Sequence, residues 1–370
     1  MTSPRRLPAA VLVAVSLAVA GCAMQPVEQS AAAAHHPAAP AAPLVPVRAL
    51  QDRLLALDPE HVTDEEVRTV LARGPTPRIM LLHGGIYPVQ LLMESFGRFL
   101  VGMGYPQSRI RDPGDGAWSY SPYDDAEKLA GILAWDYERT GVRPMLIGHS
   151  QGGMQAVKVL HELAGHFDDH VRVYDPLRNA FDERTAIVDP LTGETRPVIG
   201  DVRVSYASAV GAGGATFVMP NQWSMIGKLE TIPDTVDDFT GFTAGIDLIG
   251  GNTDYHHNGT AHVRNVALPL TYNHIFVPAV ASLADDAVVR DWINAYAPGD
   301  KRDPSALPGD APLHVLWAAD VWYSIKKHWC LEAQRLVRAE RLRIPLQDAA
   351  RKPPPTESAE RSAPTESAVR

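Results

Sequence analysis

The segment 143–153, RPMLIGHSQGG, limits what this chain can fold into more than any other part of it. An apolar run at 145–147 is typical of a strand buried in a parallel sheet. A G-x-S-x-G pattern follows at 148–152, and apolar residues then recur at helical spacing over 154–164. Such a tight strand-to-helix turn needs glycine two positions before and after the serine, and it leaves Ser150 exposed at its tip. The alternative is a glycine-rich turn without chemistry.

A second apolar run, at 79–82, ends in His83, Gly84 and Gly85. In an open parallel sheet the carboxyl ends of the strands are where ligands bind. A glycine pair at such an end lets a substrate approach the backbone closely. We therefore predict that the backbone N–H groups of Gly85 and Gln151 form an oxyanion hole.

Strand and helix patterns alternate along most of the chain, which predicts an α/β fold with a doubly wound, mostly parallel sheet. The rhythm breaks at 166–200, a charged insertion in which a turn at 189–193 is expected to join two hairpin arms. A helical extension is predicted at 311–346. The apolar segment 217–238 suits either an acyl pocket or the core. The other expected elements are strands near 108–111 and at 201–209, 242–249 and 261–268, and helices at 90–102, 121–140 and 278–296.

The two ends of the chain lack the composition of a packed domain. A basic head, an apolar run at 9–20 and small residues precede Cys22, which resembles a bacterial lipobox. The resemblance implies a signal peptide at 1–21 and a lipid-bearing Cys22, anchored in a bacterial membrane. Because no aspartate follows Cys22, the outer membrane is favoured, on its periplasmic or surface side. An ordinary signal peptide with an incidental cysteine is the alternative. The remaining boundaries are an Ala/Pro-rich linker at 22–46, the folded domain at 47–346 and a disordered tail at 347–370.

The pattern at 148–153, with His-Gly-Gly at 83–85, is similar to that of serine hydrolases of the α/β-hydrolase superfamily, in the lipase and esterase branch. The resemblance implies cleavage of carboxylic esters through an acyl-enzyme, with no metal or organic cofactor. It also implies the chain order serine, acid, histidine. Ser150 is then the nucleophile, and His274 is the base because it follows the last predicted strand.

Two carboxylates compete to orient His274 in this scheme. Asp247 closes an apolar run and precedes His274 by 274 − 247 = 27 positions. Asp254 leaves a shorter connection to the next strand. It becomes the better candidate if the strand that begins at 242 runs on through 248–249. We prefer Asp247 and keep Asp254 as the alternate acid.

Other classes of function remain open at this point. His256, His257 and His262 with Asp254 are potential zinc ligands, although their spacing matches no zinc motif. A non-catalytic surface lipoprotein with this fold is a further alternative, as is an amidase or thioesterase. The net charge of −9, without long charged runs, argues against nucleic acid as a partner. The expected partners are an acyl ester, with lipids among the candidates, and a membrane.

Overall fold

Five parallel strands form the central sheet and lie side by side in their order along the chain. The structure is a computed structural model, which describes residues 47–351 apart from 215–219, 246 and 258, with side chains as far as Arg343. The predicted signal peptide, the linker, Cys22 and most of the predicted tail lie outside these residues. The strands are β1 (Ile79–Leu82), β2 (Met145–His149), β3 (Tyr174–Asp175), β4 (Ala180–Phe181), β5 (Ala186–Val188), β6 (Thr195–Pro197), β7 (Val204–Val210), β8 (Val236–Ala244) and β9 (His262–Leu268).

The central sheet runs β1-β2-β7-β8-β9, and the four short strands between β2 and β7 pair separately as β3-β4 and β5-β6. These two antiparallel pairs lie within the predicted insertion, and the 189–193 turn joins β5 to β6. The helices are α1 (Arg48–Ala56), α2 (Asp64–Thr69), α3 (Tyr87–Gly102), α4 (Ala126–Thr140), α5 (Gln151–Leu163), α6 (Val198–Asp201), α7 (Ala287–Asn294) and α8 (Val315–Arg351).

Side chains alternate across the sheet, so each of its faces has its own apolar core. Ile147 of β2 packs into one core with α3 and α8, whereas the neighbouring Leu146 packs into the other with α4 and α5. Trp317, Trp322 and Trp329 of α8 are all fully buried in the first core. The predicted α/β fold with a doubly wound parallel sheet is therefore confirmed, and the C-terminal helical extension is an integral part of it.

Several predicted boundaries are wrong. No strand forms at 108–111, where the chain makes a short 3-10 helix at Gln107–Arg109. The open edge of β1 is instead bridged by Tyr120, whose N–H donates to the carbonyl of Leu81 at 2.8 Å. The helix expected from residue 121 begins only at Ala126, because the side chain of Asp125 caps it.

The strand predicted at 242–249 lies at 236–244, six residues earlier at its start. Its second and third residues are acidic, yet Asp237 pairs with Arg143 at 2.7 Å and Asp238 pairs with His328 at 2.7 Å. Burying a carboxylate costs little free energy when it is paired, so acidic residues can lie near the start of this strand. The sequence pattern therefore does not show where the strand begins. The strand ends before Gly245, whose φ of +53° leaves the extended region.

The C-terminal half also departs from the pattern in smaller ways. The strand predicted at 201–209 lies at 204–210, and the helix predicted at 278–296 divides into a 3-10 turn at Ala281–Ala284 and α7. Helix α8 continues to Arg351, so the tail predicted from Gln347 begins inside a helix. None of the helices in the described part of the chain is both long enough and apolar enough to cross a bilayer.

Candidate active site

Ser150 occupies the tip of the sharp turn between β2 and α5. Its φ of 56° is in the left-handed region, which a non-glycine residue enters only under constraint. Its N–H donates to the carbonyl of Val210 at 2.8 Å, which fixes the turn to β7. A Cβ on Gly148 would lie 2.4 Å from the Gly152 carbonyl oxygen, and one on Gly152 would lie 2.2 Å from the Leu82 carbonyl oxygen. The two glycines of the pattern are therefore required by backbone packing.

His274 connects Ser150 to a carboxylate. It follows β9 in a loop, and its Nε2 lies 2.9 Å from Ser150 Oγ. Its Nδ1 lies 2.6 Å from Asp247 Oδ2. The side chains of His274 and Asp247 are only 9% and 2% exposed, so the pair is shielded from water. Because the carboxylate accepts from Nδ1–H, Nε2 is left to accept the serine proton.

Asp247 is held by its own backbone neighbourhood. Its Oδ1 accepts the N–H groups of Ile249 at 3.0 Å and Gly250 at 2.6 Å, while Oδ2 receives His274. Burial works to raise the pKa of Asp247, but the hydrogen bonds from His274 and these N–H groups outweigh it and lower the pKa below its usual value. The alternate acid, Asp254, instead accepts from the side chain of Asn265 at 2.9 Å.

Two glycines make room for the His274–Asp247 pair. A Cβ on Gly211 would lie 2.6 Å from His274 Nδ1 and 3.0 Å from Asp247 Oδ2. A Cβ on Gly250 would lie 2.3 Å from the same carboxylate oxygen. The sequence shows the glycine-rich run that begins at Gly211, but only the fold reveals that the run faces the histidine and the acid.

The oxyanion candidates lie beside the serine. A Cβ on Gly84 would lie 3.1 Å from Ser150 Cβ, and one on Gly85 would lie 2.1 Å from the side-chain oxygen of Gln151. The loop after β1 and the start of α5 therefore touch each other next to Ser150. Within the described residues, the N–H groups of Gly85 and Gln151 have no backbone acceptor. Two such groups beside a nucleophile are suited to binding a developing negative charge.

His149 contacts the opposite side of the histidine loop. It is fully buried, and its Nε2 lies 2.6 Å from the backbone carbonyl oxygen of His274. Because a carbonyl only accepts, Nε2 carries the proton. Burial and the nearby His274 lower the pKa of His149 to about 3, so the ring is neutral. The two residues are 125 positions apart in the chain, so no local sequence pattern reveals this contact.

A second set of hydrogen bonds joins the loop after β1 and the start of α5 to neighbouring segments. The Tyr123 hydroxyl donates to the Gly85 carbonyl at 3.1 Å. The Gln151 side chain donates to Asn221 at 3.2 Å, and Asn221 donates to the carbonyl of Pro122 at 3.4 Å. These contacts tie the segments around 122 and 221 to the nucleophile turn.

The segment 217–238 supplies part of a cavity near the acid loop. Met225 is buried and Ile226 is half exposed, whereas 217–219 lie outside the described residues. The cavity has a volume of about 480 Å³. Its walls include Gly214, Met225, Ile226, Leu229, Gly251 and Thr253.

The residues weighed as zinc ligands have separate partners. His262 lies 3.2 Å from Asp238 at the start of β8, and His256 lies 3.4 Å from the hydroxyl of Thr231. Asp254, as noted, is bonded to Asn265. Among the side chains that the structure describes, no group of three or more His, Cys, Asp or Glu residues is arranged to hold a metal ion.

Comparisons with known proteins add little to this geometry. No family model matches the chain, and no curated protein matches it. A solved structure, RedJ with a PEG molecule bound in the active site, is similar over 61% of this chain and 92% of its own. The identity is 14% and the TM-score is 0.29.

Proposed function

We propose that this protein is a serine hydrolase that cleaves carboxylic esters through an acyl-enzyme. The observation that carries the proposal is the chain of contacts Ser150 Oγ to His274 Nε2 at 2.9 Å and His274 Nδ1 to Asp247 at 2.6 Å. A nucleophile, a base and an orienting acid within hydrogen-bond reach form the arrangement that acyl transfer requires. The α/β fold is compatible with this chemistry but does not specify it.

Each group has one role in the proposed reaction. Ser150 Oγ attacks the acyl carbon while its proton passes to His274 Nε2. The carbonyl oxygen becomes an oxyanion that accepts from the N–H groups of Gly85 and Gln151. As the intermediate collapses, the leaving alcohol takes the proton from Nε2. Water then attacks the acyl-enzyme by the same route, and Asp247 stabilises the imidazolium at both stages.

The substrate side of the proposal is an apolar acyl group. The cavity beside the acid loop has Met225, Ile226 and Leu229 in its walls, which can contact a hydrocarbon chain, while Glu230 and His256 give it a polar side. A series of p-nitrophenyl esters of increasing chain length would locate the optimum. A preference for short chains alone would remove this cavity from the proposal while leaving the ester chemistry in place.

A fluorophosphonate probe, which modifies activated serines, tests the reaction class. The wild-type protein should label and hydrolyse p-nitrophenyl butyrate, and Ser150→Ala should do neither while keeping its melting temperature. Ser224, exposed on the 3-10 turn near the site, provides the control. Ser224→Ala should label like the wild type. Probe adducts on Ser224, or none on any serine, would contradict the proposal.

We propose in addition that the protein is exported and anchored through a lipid on Cys22. The support is the lipobox-like sequence alone, since residues 1–46 are not described. Cys22→Ser should abolish incorporation of labelled palmitate and move the protein from the membrane fraction to the soluble fraction or to unprocessed precursor. Unchanged membrane fractionation, with no palmitate in the wild type, would rule the anchor out.

A further inference from the structure

A second cavity, with a volume of about 660 Å³, lies at the carboxyl end of β1. This volume is within the roughly 300–1,000 Å³ of small-molecule sites. Three segments build it: the loop after β1 with the start of α3, the segment 112–132, and the hairpin of β3 and β4 in the charged insertion. We call it the β1 cavity, and its walls include His83, Gln90, Ser119, Asp124, Lys128 and Asn179.

The insertion is fitted closely to this cavity. A Cβ on Gly114 would lie 2.3 Å from the carbonyl oxygen of Pro176, so the turn at 112–117 touches the β3-β4 hairpin. Asn179 in that hairpin has a φ of 50° and shares a positive φ with only one other non-glycine residue in the described part of the chain, Ser150. Its Oδ1 accepts from the Tyr174 hydroxyl at 2.6 Å. The hairpin is therefore held in a defined conformation where it forms the cavity wall.

Two polar groups in the walls have hydrogen-bonding capacity to spare. Ser119 is only 7% exposed, and its Oγ has no partner among the described residues, whereas buried hydroxyls are normally bonded. His83 Nδ1 lies 2.7 Å from the Gly84 carbonyl oxygen, so Nδ1 carries the proton and Nε2 is an acceptor. Burial lowers the pKa of His83, which favours this neutral ring. A ligand that both donates and accepts hydrogen bonds fits these groups.

The charges in the walls narrow the class of ligand. Asp112, Asp115 and Asp124 outnumber Lys128, which disfavours an anion. The ammonium of Lys128 lies 5.2 Å from the centre of the Tyr174 ring, so that aromatic face already has its cation. A hydrocarbon would leave the buried hydroxyl unpaired. A neutral molecule rich in hydroxyl groups meets all three conditions.

The order of the strands places the β1 cavity on one side of the nucleophile. Ser150 follows β2, and His83 follows β1, the neighbouring strand at the edge of the sheet. The cavity beside the acid loop includes Gly214 and Gly251, which follow β7 and β8 on the other side. A Cβ on Gly84, directly after His83, would lie 3.1 Å from Ser150 Cβ. An ester centred on the serine therefore has one cavity towards each end.

We infer that the β1 cavity binds the alcohol part of the ester, and that this alcohol is a neutral polyol. The inference rests on the proposed function and narrows its substrate class. The polyol is the leaving group: its oxygen takes the proton from His274 Nε2 as the bond to the acyl carbon breaks, and water later releases the acid from Ser150.

Two pairs of butyrate esters test the inference, because each pair shares its acyl group and differs in the hydroxyls of the alcohol. They are glucose 6-butyrate with cyclohexylmethyl butyrate, and glycerol 1-butyrate with propyl butyrate. The measured quantity is the ratio of kcat/KM for the polyol ester to kcat/KM for its apolar counterpart. In wild type this ratio should be at least about ten in one pair, since a site that bonds hydroxyls discriminates against an analogue without them.

Ser119→Ala and Gln90→Leu remove polar groups from the cavity walls. Each should lower the ratio by about three- to tenfold, the effect of one neutral hydrogen bond. Hydrolysis of p-nitrophenyl butyrate should stay at the wild-type rate, because its alcohol has no further hydroxyl. Ser119→Ala should also keep its melting temperature, since the hydroxyl that it removes is unpaired in the folded protein.

Ser108→Ala and Gln107→Leu are the matched controls. Both residues are exposed on the 3-10 helix at Gln107–Arg109 and lie outside the cavity walls, so both variants should keep the wild-type ratio. Calorimetric titration of Ser150→Ala with glucose 6-butyrate repeats the comparison without turnover. Adding Ser119→Ala should weaken that binding by about three- to tenfold.

The outcomes separate this inference from the proposed function. A lower ratio in either cavity variant, with both controls at the wild-type value, supports the inference. A wild type without preference for either polyol ester overturns it, as do ratios that are unchanged in both cavity variants or lowered equally in the controls. In those cases hydrolysis of p-nitrophenyl butyrate still supports the ester chemistry. Absence of both probe labelling and ester hydrolysis in the wild type would defeat the proposed function, and the inference with it.

Discussion

The Nε2–H of His149 donates to the backbone carbonyl of His274 across 2.6 Å. The residue before the candidate nucleophile thus holds the loop that carries the candidate base. The two imidazole rings are 5.1 Å apart at their centres, so a charge on His149 would oppose the imidazolium that must form on His274. A buried, neutral His149 can hold the loop and adds no positive charge beside His274.

Removing this contact should slow the reaction without changing substrate binding. In His149→Leu the His274 carbonyl loses its donor inside the protein, a loss of about 1–3 kcal/mol. If most of this free energy is lost through misplacement of the base, kcat falls by roughly 10- to 100-fold while KM changes little. The measurement is steady-state kinetics on p-nitrophenyl butyrate, with the rate of fluorophosphonate labelling as a second readout.

His149→Gln provides the rescue, because its amide retains an N–H donor of similar reach. It should recover a substantial part of the labelling rate lost in His149→Leu. Equal labelling rates in the wild type and His149→Leu, at equal melting temperature, would show that the contact does not position the base.

The two aspartates should differ sharply when each is changed to asparagine. Asp247→Asn removes the charge beside His274 and should lower kcat by on the order of 10⁴, the effect of this change in a serine protease. Asp254→Asn alters only a contact with Asn265 and should stay within about threefold of wild type, as is usual away from the reacting groups. A crippled Asp254→Asn beside an active Asp247→Asn would reverse the assignment.

Local features of the site could be predicted because they depend on neighbours in the chain. The turn at Ser150 follows from its flanking glycines and from the apolar run before it. The bounds of β1 at 79–82 could also be predicted, since four consecutive buried residues are followed by His83 and then by the glycine pair. The doubly wound topology follows from the alternation of the two periodicities along the chain.

Features that depend on distant contacts could not be predicted. The start of β8 is concealed by Asp237 and Asp238, whose partners Arg143 and His328 come from other parts of the chain. The contact of His149 with the His274 loop depends in the same way on a loop that follows β9, 125 positions further along the chain. Proximity of this kind leaves no periodic signal in one sequence.

Substitution of Gly211 tests how closely the His274–Asp247 pair is packed by its surroundings. Its φ is +62°, and an added Cβ would lie 2.6 Å from His274 Nδ1. Gly211→Ala should therefore displace the imidazole and lower kcat/KM by about 100-fold, since a shift near 1 Å costs this much. Its melting temperature should also fall, because alanine resists the left-handed conformation.

Gly193→Ala separates these two effects. Gly193 has a φ of +76°, but nothing lies within 4 Å of its added Cβ. It should lose a similar share of stability, about 1 kcal/mol, and keep its activity. If both variants lose stability and neither loses activity, His274 and Asp247 tolerate movement, and close packing by Gly211 is not needed for activity.

Burial of neutral His149 should make the protein sensitive to acid in a defined window. The pKa of His149 is lowered from 6.5 to about 3 in the folded chain, chiefly by burial. Between these values the unfolded chain binds a proton that the folded chain does not. The free energy of unfolding should therefore decrease as the pH falls, by about 1.4 kcal/mol per pH unit from this group.

His149→Gln removes this contribution, so its free energy of unfolding should fall less steeply than that of wild type between about pH 6 and pH 4, and run parallel to it above about pH 7.5. Urea unfolding at several pH values measures both slopes.

His170 gives a control of opposite sign, because its hydrogen bond to Asp169 raises its pKa and stabilises the folded chain in acid. His170→Gln should therefore lose stability at low pH relative to wild type. Parallel curves for wild type and His149→Gln through the acid range would mean that His149 is protonated when folded, and its Nε2–H contact with the His274 carbonyl would then have to be reassigned to an imidazolium.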